Sequence, residues 1–246
     1  MSEHLEERLK KLEEAVLSLQ EKLSEKEKQI QDLLDIEAIE RLQNIYGYYL
    51  EHWMSEEIID LFADHPEVSA TFVEGTYLGI EGVRRYFGRM RFAAPTFLHQ
   101  VMQVSPVITL SDDRRRAKGR FYGYGTICSA MKNDKIDPMY MSVVYEMEFI
   151  RQDGVWKILK LAFLMHYAYK HDSEQKAVPD ENKTEPRERP SFSSNLSPDI
   201  WAEYDTQYPS GYIYPMHFKH PVTGKKTAED EYNAGLDLIK SRFLPK

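Results

Sequence analysis

Histidine and tyrosine side chains supply the most evident chemical groups of this sequence, and many of them fall in predicted strands. His99 begins one such strand, where an imidazole can act as a general base near neutral pH. A single strand histidine also suits a purely structural role. His166 flanks the last strand of the series, and Tyr122 and Tyr124 alternate with glycines on another. Because side chains alternate between the two faces of a strand, either the tyrosines or the glycines face the interior.

Two glutamates raise the same question of orientation. Glu146 and Glu148 alternate with Tyr145 and Met147 along a further predicted strand. If the glutamates point inward, they are the strongest candidates for a base. If they point outward, they form a solvated row opposite the lysines of the following strand, and Tyr145 faces the interior.

The composition is that of an acidic, aromatic-rich globular chain. Its 246 residues include 16 Tyr, 11 Phe and 3 Trp, and such side chains suit a pocket for a ring-shaped ligand. The net charge of −8 argues against nucleic acid, and no nucleotide-binding motif is present. Cys128 is the only cysteine, and His217 and His220 lie in a proline-bounded loop, so we expect no metal.

We expect no targeting signal at the N-terminus. Charged residues begin at Glu3, and no apolar run approaches the length of a membrane span. We therefore expect a cytoplasmic protein without a membrane partner.

Residues 1–34 form a heptad segment that predicts a coiled coil. A stripe of two apolar positions per heptad is too narrow for a globular core and favours an identical stripe beside it, so we expect a parallel homo-oligomer. A helix that packs along its own domain is the alternative. The stripe consists of Leu5, Leu9, Leu12, Val16, Leu19, Leu23, Ile30 and Leu33, with Lys26 in the remaining slot.

Residues 35–170 predict an α+β domain. Asp35 is expected to cap a second amphipathic helix, and short helices and strands follow as far as Arg91. Long strands then alternate with the hairpin signals Asp112-Asp113 and Asp153-Gly154. Helices followed by a run of antiparallel strands indicate a layered α+β fold. Residues 171–246 predict an extended tail or lid with a final helix.

Three motifs resemble the SnoaL-like branch of the nuclear-transport-factor-2-like superfamily. They are Asp35-Ile-Glu-Ala-Ile, Arg116-Ala-Lys-Gly-Arg-Phe and Tyr145-Glu-Met-Glu-Phe with Asp153-Gly-Val-Trp-Lys-Ile. The resemblance covers residues 35–169 and implies a SnoaL-like, cystatin-like cone, in which a curved antiparallel sheet and helices enclose a pocket.

Two subgroups of that family look most similar. The heptad segment running into Asp35 resembles bile-acid dehydratases, and the tail motif from His217 to Gly224 resembles lyases that release formaldehyde from diarylpropanes. The resemblance implies a cofactor-independent lyase that acts by acid/base elimination on a hydroxylated aromatic or polycyclic small molecule, and it favours a trimer. A non-catalytic small-molecule-binding module and a ketosteroid-isomerase-like isomerase remain alternatives on the same fold.

The resemblance also implies catalytic positions. Tyr46 and Glu51 match a tyrosine and an acidic residue of the dehydratases, although the family has aspartate at the second position. A further family acid aligns with Gly125, which argues against steroid dehydration. With His99, Tyr46 and Glu51 form the predicted catalytic set, although Tyr46 is equally compatible with the core and Glu51 with solvent. The predicted substrate-binding residues are Tyr49, Trp53, Tyr122, Tyr124, Tyr145 and His166.

Overall fold

A computed structural model describes residues 2–89, 97–130, 136–170, 213 and 219–234. Its helices are α1 (Ser2–Glu51), α2 (Ser55–Asp60), α3 (Gly79–Gly88) and α4 (Glu229–Ala234). Its strands are β1 (Ser69–Phe72), β2 (Gly75–Leu78), β3 (Leu98–Leu110), β4 (Arg116–Ala130), β5 (Ile136–Gln152) and β6 (Val155–Lys170).

Helix α1 continues without a break through Asp35, so the prediction of a second helix capped by this residue is wrong. Asp35 is buried, and its carboxylate accepts a hydrogen bond from Trp156 Nε1 at 3.1 Å and pairs with Arg151 Nη1 at 3.2 Å. The carboxylate therefore binds side chains of the sheet instead of backbone amides at a helix start. No glycine or proline near this position would interrupt the helix.

The heptad positions of α1 are exposed. Leu9, Val16, Leu23 and Ile30 each retain half or more of their accessible surface. In a single chain this apolar stripe has no described neighbour to cover it, and the coiled coil stays a prediction.

The six strands form one curved sheet in the order β2-β1-β6-β5-β4-β3. All neighbouring strands are antiparallel except β1 and β6, which pair in parallel. The hairpin between β5 and β6 turns on Asp153 and Gly154, whose φ angles of 53° and 81° fit a tight hairpin turn. The predicted α+β fold is confirmed.

The concave face of the sheet forms the core together with α1. Tyr145 and Met147 of β5 are fully or almost fully buried on this face. The intervening glutamates point outward, where Glu146 pairs with Arg120 at 2.9 Å and Glu148 with Lys160 at 3.2 Å. The outward-facing alternative is therefore correct, and Glu146 is not available as a base in the interior.

Part of the C-terminal region packs against the helices. His220 is buried, and its Nε2 lies 2.8 Å from the carbonyl oxygen of Glu57 in α2. Residues 171–212, 214–218 and 235–246, and with them most of the predicted tail, lie outside the described residues. Within the described part of the chain, no helix combines the length and apolar character that a membrane crossing requires.

Candidate functional site

The C-terminal part of α1 places three large side chains against the open end of the sheet. Tyr46, Leu50 and Trp53 are spaced four and three residues apart, so they lie on one face of the chain as the helix ends. All three are at most 3% exposed. The helix that carries this face is the same helix that carries the heptad segment.

Trp53 adopts an unusual backbone conformation at the end of this helix. Its N–H donates to the carbonyl of Leu50 at 3.0 Å, and the N–H of Met54 donates to Tyr49 at 2.9 Å, which together form a Schellman ending. Trp53 occupies the left-handed position with φ of 52°, where glycine is usual. Its indole Nε1 donates to the carbonyl of Phe87 at 2.6 Å. Burial of the indole and this bond stabilise a conformation that tryptophan rarely adopts.

These side chains border a cavity of about 140 Å³ between α1, α3, the β1–β2 turn and one end of the sheet. Its walls are mainly aromatic and thioether side chains. The lining residues are Tyr46, Leu50, Trp53, Phe72, Val73, Glu74, Tyr86, Ile127, Met139, Met141, Phe163 and Met165.

The hydroxyl of Tyr46 belongs to a side chain in the cavity wall. It is completely buried and has no hydrogen-bond partner among the residues that the structure describes. The Tyr46 ring meets the rings of Tyr145 and Phe87 edge-on, at 6.1 Å and 6.3 Å between centroids. Burial, with a smaller effect of the neighbouring Tyr145, raises the pKa of Tyr46 well above 10. Tyr46 is therefore a neutral hydrogen-bond donor.

His99 lies beside the cavity but is not among its lining residues. The imidazole is 8% exposed, and neither ring nitrogen has a described hydrogen-bond partner. His99 pairs with Ile127 across β3 and β4, and its ring packs against the indole of Trp53 at 5.9 Å. Both of these neighbours line the cavity. Burial lowers the pKa of His99 from 6.5 to about 3, so the imidazole is neutral at neutral pH.

The structure does not bring Glu51 and Tyr49 to the cavity wall. Glu51 ends α1 and is half-buried, and burial raises its pKa above the usual value for glutamate. Tyr49 is fully buried and stacks on His220 at 5.5 Å between centroids. Tyr49 therefore belongs to the contact between α1 and the C-terminal region.

Tyr122, Tyr124 and His166 are exposed on the outer side of the sheet. The alternation on β4 instead turns Gly123 and Gly125 inward. A Cβ on Gly123 would meet the Val143 and Tyr145 side chains, so the glycine leaves room for the buried rings. None of these three predicted binding residues lines the cavity.

The position of the family acid, Gly125, cannot hold a side chain here. A Cβ at Gly125 would collide with the carbonyl oxygen of Gln100 on the neighbouring strand. The glycine at this position, where the resemblance implies an acid, therefore allows β3 and β4 to approach closely.

Sequence reasoning missed several residues of the cavity wall. Phe72 and Tyr86 stack in parallel at 3.5 Å, and Glu74 lies between their elements at the rim. The two apolar runs that contain Phe72 and Tyr86 predicted a strand and a helix, but no local signal places these elements against each other. Across the described ranges, no group of three or more His, Cys, Asp or Glu residues is arranged to hold a metal ion.

The family model described as a SnoaL-like domain matches residues 31–162, more than half of the chain. The chain belongs to the SnoaL-like domain family. The matched range of this SnoaL-like protein contains the lining residues of the cavity except Met165, and it contains His99 and Glu51. No curated protein matches its sequence.

Solved structures with low sequence identity are similar to this SnoaL-like protein. A proposed scytalone dehydratase from Novosphingobium aromaticivorans is 16% identical, with a TM-score of 0.48 over 59% of this chain and 93% of the other. An NTF2-like protein with a cystatin-like fold from the same species is 15% identical, with a TM-score of 0.45 over 56% and 86%. The hexachlorocyclohexane dehydrochlorinase LinA-type3 from Novosphingobium barchaimii is 20% identical, with a TM-score of 0.45 over 61% and 99%.

Proposed function

We propose that this SnoaL-like protein is a cofactor-independent lyase that acts by acid/base elimination on a hydroxylated aromatic small molecule. The observation that carries the proposal is the Tyr46 hydroxyl, a buried neutral donor without a described partner in the wall of an aromatic cavity. An unpaired buried hydroxyl costs about 1–3 kcal/mol, and a ligand oxygen would remove that cost.

The size of the cavity limits the part of a substrate that it can enclose. Its volume of about 140 Å³ is close to the roughly 150 Å³ of an engineered apolar cavity that binds benzene in another protein. A single aromatic ring therefore fits, and the rest of a larger substrate would extend past the rim at Val73 and Glu74. This favours substituted single rings or diaryl compounds over fused polycyclic ones.

In the proposed reaction, a base removes a proton from the substrate, and the released electron pair forms a new double bond. The electrons of the bond that breaks leave with a hydroxyl group, which takes the proton that the base has removed and departs as water. If the proton comes from a hydroxymethyl O–H, a carbon–carbon bond breaks as well and formaldehyde is the second product. Tyr46 would donate a hydrogen bond to the oxygen on which negative charge develops.

His99 and Glu51 are the two candidates for the base. His99 packs against the Trp53 indole, so the imidazole meets a bound ring only after the indole leaves its hydrogen bond to the Phe87 carbonyl. Burial lowers the pKa of His99 to about 3, which keeps the ring neutral but makes it a weak base. Glu51 has a raised pKa that suits a base, but it lies outside the described cavity wall. We propose His99 as the base because both its strand partner Ile127 and its ring neighbour Trp53 line the cavity.

The test is a screen of hydroxylated diaryl and single-ring compounds by mass spectrometry with the wild type, Tyr46→Phe and Tyr48→Phe. A lyase product lacks water or a one-carbon fragment, whereas an isomerase product keeps the substrate mass. Tyr46→Phe should lower turnover by ~10²-fold or more. Tyr48 lies on the exposed side of the same helix and is the matched control. Equal turnover in the wild type and Tyr46→Phe would remove Tyr46 from the mechanism.

A non-catalytic small-molecule-binding module is the second candidate. It is favoured by one observation: neither of the two candidate bases, His99 and Glu51, lines the cavity. Tight binding of a compound that is recovered unchanged after prolonged incubation would support this function.

We also propose that the chain self-associates through the exposed heptad stripe of α1 into a parallel homo-oligomer. The stripe exposes side chains such as Leu12 and Leu19, at 60% and 64%, that an identical helix would cover. The resemblance to bile-acid dehydratases favours a trimer. Since α1 runs unbroken from the stripe to Tyr46, the oligomer would hold the cavities at fixed positions around its axis.

A further inference from the structure

The rim of the cavity carries a carboxylate that the proposed elimination does not use. Glu74 occupies the two-residue turn between β1 and β2, after Phe72 and before Gly75. It is the carboxylate among the described lining residues, while all its neighbours in the wall are aromatic, aliphatic or thioether side chains.

Two neighbours hold the Glu74 carboxylate in place. The hydroxyl of Tyr77 donates to Glu74 Oε1 at 3.2 Å, and Arg89 Nη1 donates to the same oxygen at 3.1 Å. The Arg89 guanidinium also lies 4.1 Å above the ring of Tyr86, which lines the cavity. Both side-chain bonds end on Oε1, and an ionised carboxylate has about four acceptor sites, so the group keeps acceptor capacity for a ligand.

The carboxylate stays ionised near neutral pH. A hydrogen bond from its own backbone has the largest effect and lowers the pKa of Glu74. Burial acts in the opposite direction, and the bonds from Arg89 and Tyr77 lower the pKa further. An ionised carboxylate accepts hydrogen bonds and donates none. Arg89 is not a lining residue, so the group that a ligand meets at this point is the acceptor.

We infer that Glu74 is a specificity-determining residue, which selects ring compounds that carry a hydroxyl donor at the outer end and rejects those that carry a carboxylate there. This inference rests on the proposed function of the cavity as a substrate site. It adds a polarity to that site: Tyr46, which is fully buried, would supply a donor at the inner end, and Glu74, which is exposed in the β1–β2 turn, would supply an acceptor at the outer end.

The test measures the binding of two probes by calorimetry, 4-methoxyphenol and 4-methoxybenzoate, whose shared methoxy group accepts hydrogen bonds and donates none. The wild type should prefer the phenol. Glu74→Gln should bind the phenol about tenfold more weakly, because a charge-assisted bond is replaced by a neutral one, and it should bind the benzoate more tightly because the repulsion is gone. Glu81→Gln is the matched control, since Glu81 pairs with Arg84 in α3 away from the cavity.

The opposite signs for the two probes separate recognition from simple damage to the fold. A Glu74→Gln protein that weakens both probes alike, or a wild type that prefers the benzoate, would overturn the inference about Glu74 and leave the cavity as a site. A wild type that binds neither probe would overturn both the inference and the proposed single-ring site.

Discussion

The indole Nε1 of Trp53 donates a hydrogen bond of 2.6 Å to the carbonyl of Phe87 and so joins the end of α1 to the end of α3. Ser55 Oγ donates to the same carbonyl at 2.8 Å. The carbonyl of Phe87 thus has two donors, both supplied by the segment that follows α1. This contact fixes the wall of the cavity formed by Trp53 and aligns the indole with His99.

Trp53→Phe should lower the free energy of unfolding by about 1–2 kcal/mol, because one hydrogen bond is lost while Ser55 still satisfies the carbonyl. Ser55→Ala should have a smaller effect. The double variant should lose more than the sum of the two, since the buried carbonyl then has neither donor. Urea unfolding curves of the four proteins measure the coupling, and strict additivity would contradict the shared role.

A pH effect on stability should arise at His220. The backbone N–H groups of Val222 and Thr223 donate to its Nδ1, so the proton sits on Nε2 and is donated to the Glu57 carbonyl. Burial lowers the pKa of His220 below 6.5, although Asp60 and Glu57 act in the opposite direction, and Lys225 adds to the lowering. The uncharged ring stacks on Tyr49.

Because the folded pKa of His220 lies below the unfolded one, its contribution to stability is complete above pH 6.5 and declines as the pH falls through the folded pKa. His220→Asn, which keeps an acceptor but does not titrate, should reduce the slope of the unfolding free energy against pH just below about pH 6.5 by up to about 1.4 kcal/mol per pH unit. A residual slope is expected because burial also lowers the pKa of His52 to about 4 and that of His99 to about 3. An unchanged slope in the variant would show that the ring is not held as described.

Self-association through α1 should depend on the heptad stripe and not on apolar exposure in general. Val16 belongs to the stripe and Leu17 does not, although they are 50% and 59% exposed. Val16→Glu should therefore dissociate the oligomer, whereas Leu17→Glu should leave it intact. Sedimentation equilibrium of the full chain gives the stoichiometry. A monomeric wild type, or equal dissociation by both variants, would exclude the coiled coil.

The long strands could be predicted because their signals are local. The Asp153-Gly154 hairpin and the alternation on β5 depend on neighbours in sequence, and the structure follows them closely. The contact between Asp35 and Trp156 joins residues 121 positions apart, and nothing near Asp35 distinguishes it from a helix cap. Propensity favours a cap for an aspartate before an apolar run, but the tertiary contact decides its role here.

The candidate site could be predicted only in part, for the same reason. Tyr46, predicted from the family resemblance, and Trp53, one of the predicted substrate-binding residues, both line the cavity. The direction of the β4 tyrosines could not be decided from alternation alone, because either face satisfies the pattern. The packing of the interior sets the direction of these tyrosines, because Gly123 on the inner face leaves the space that the Tyr145 ring fills. Glu74 reaches the rim through the packing of a turn against α3, which has no local signal.

The close approach of β3 to β4 at Gly125 leads to a final prediction. A Cβ at this position would collide with the carbonyl oxygen of Gln100, a backbone atom that can move only with its strand. Gly125→Ala should therefore lower the free energy of unfolding by about 2 kcal/mol or more, and Gly125→Asp should not restore the acid of the dehydratases. Gly88→Ala is the matched control, because a Cβ there meets no atom within 4 Å. If Gly125→Asp folds with wild-type stability, the strands are farther apart than the structure shows, and the position is open to an acid after all.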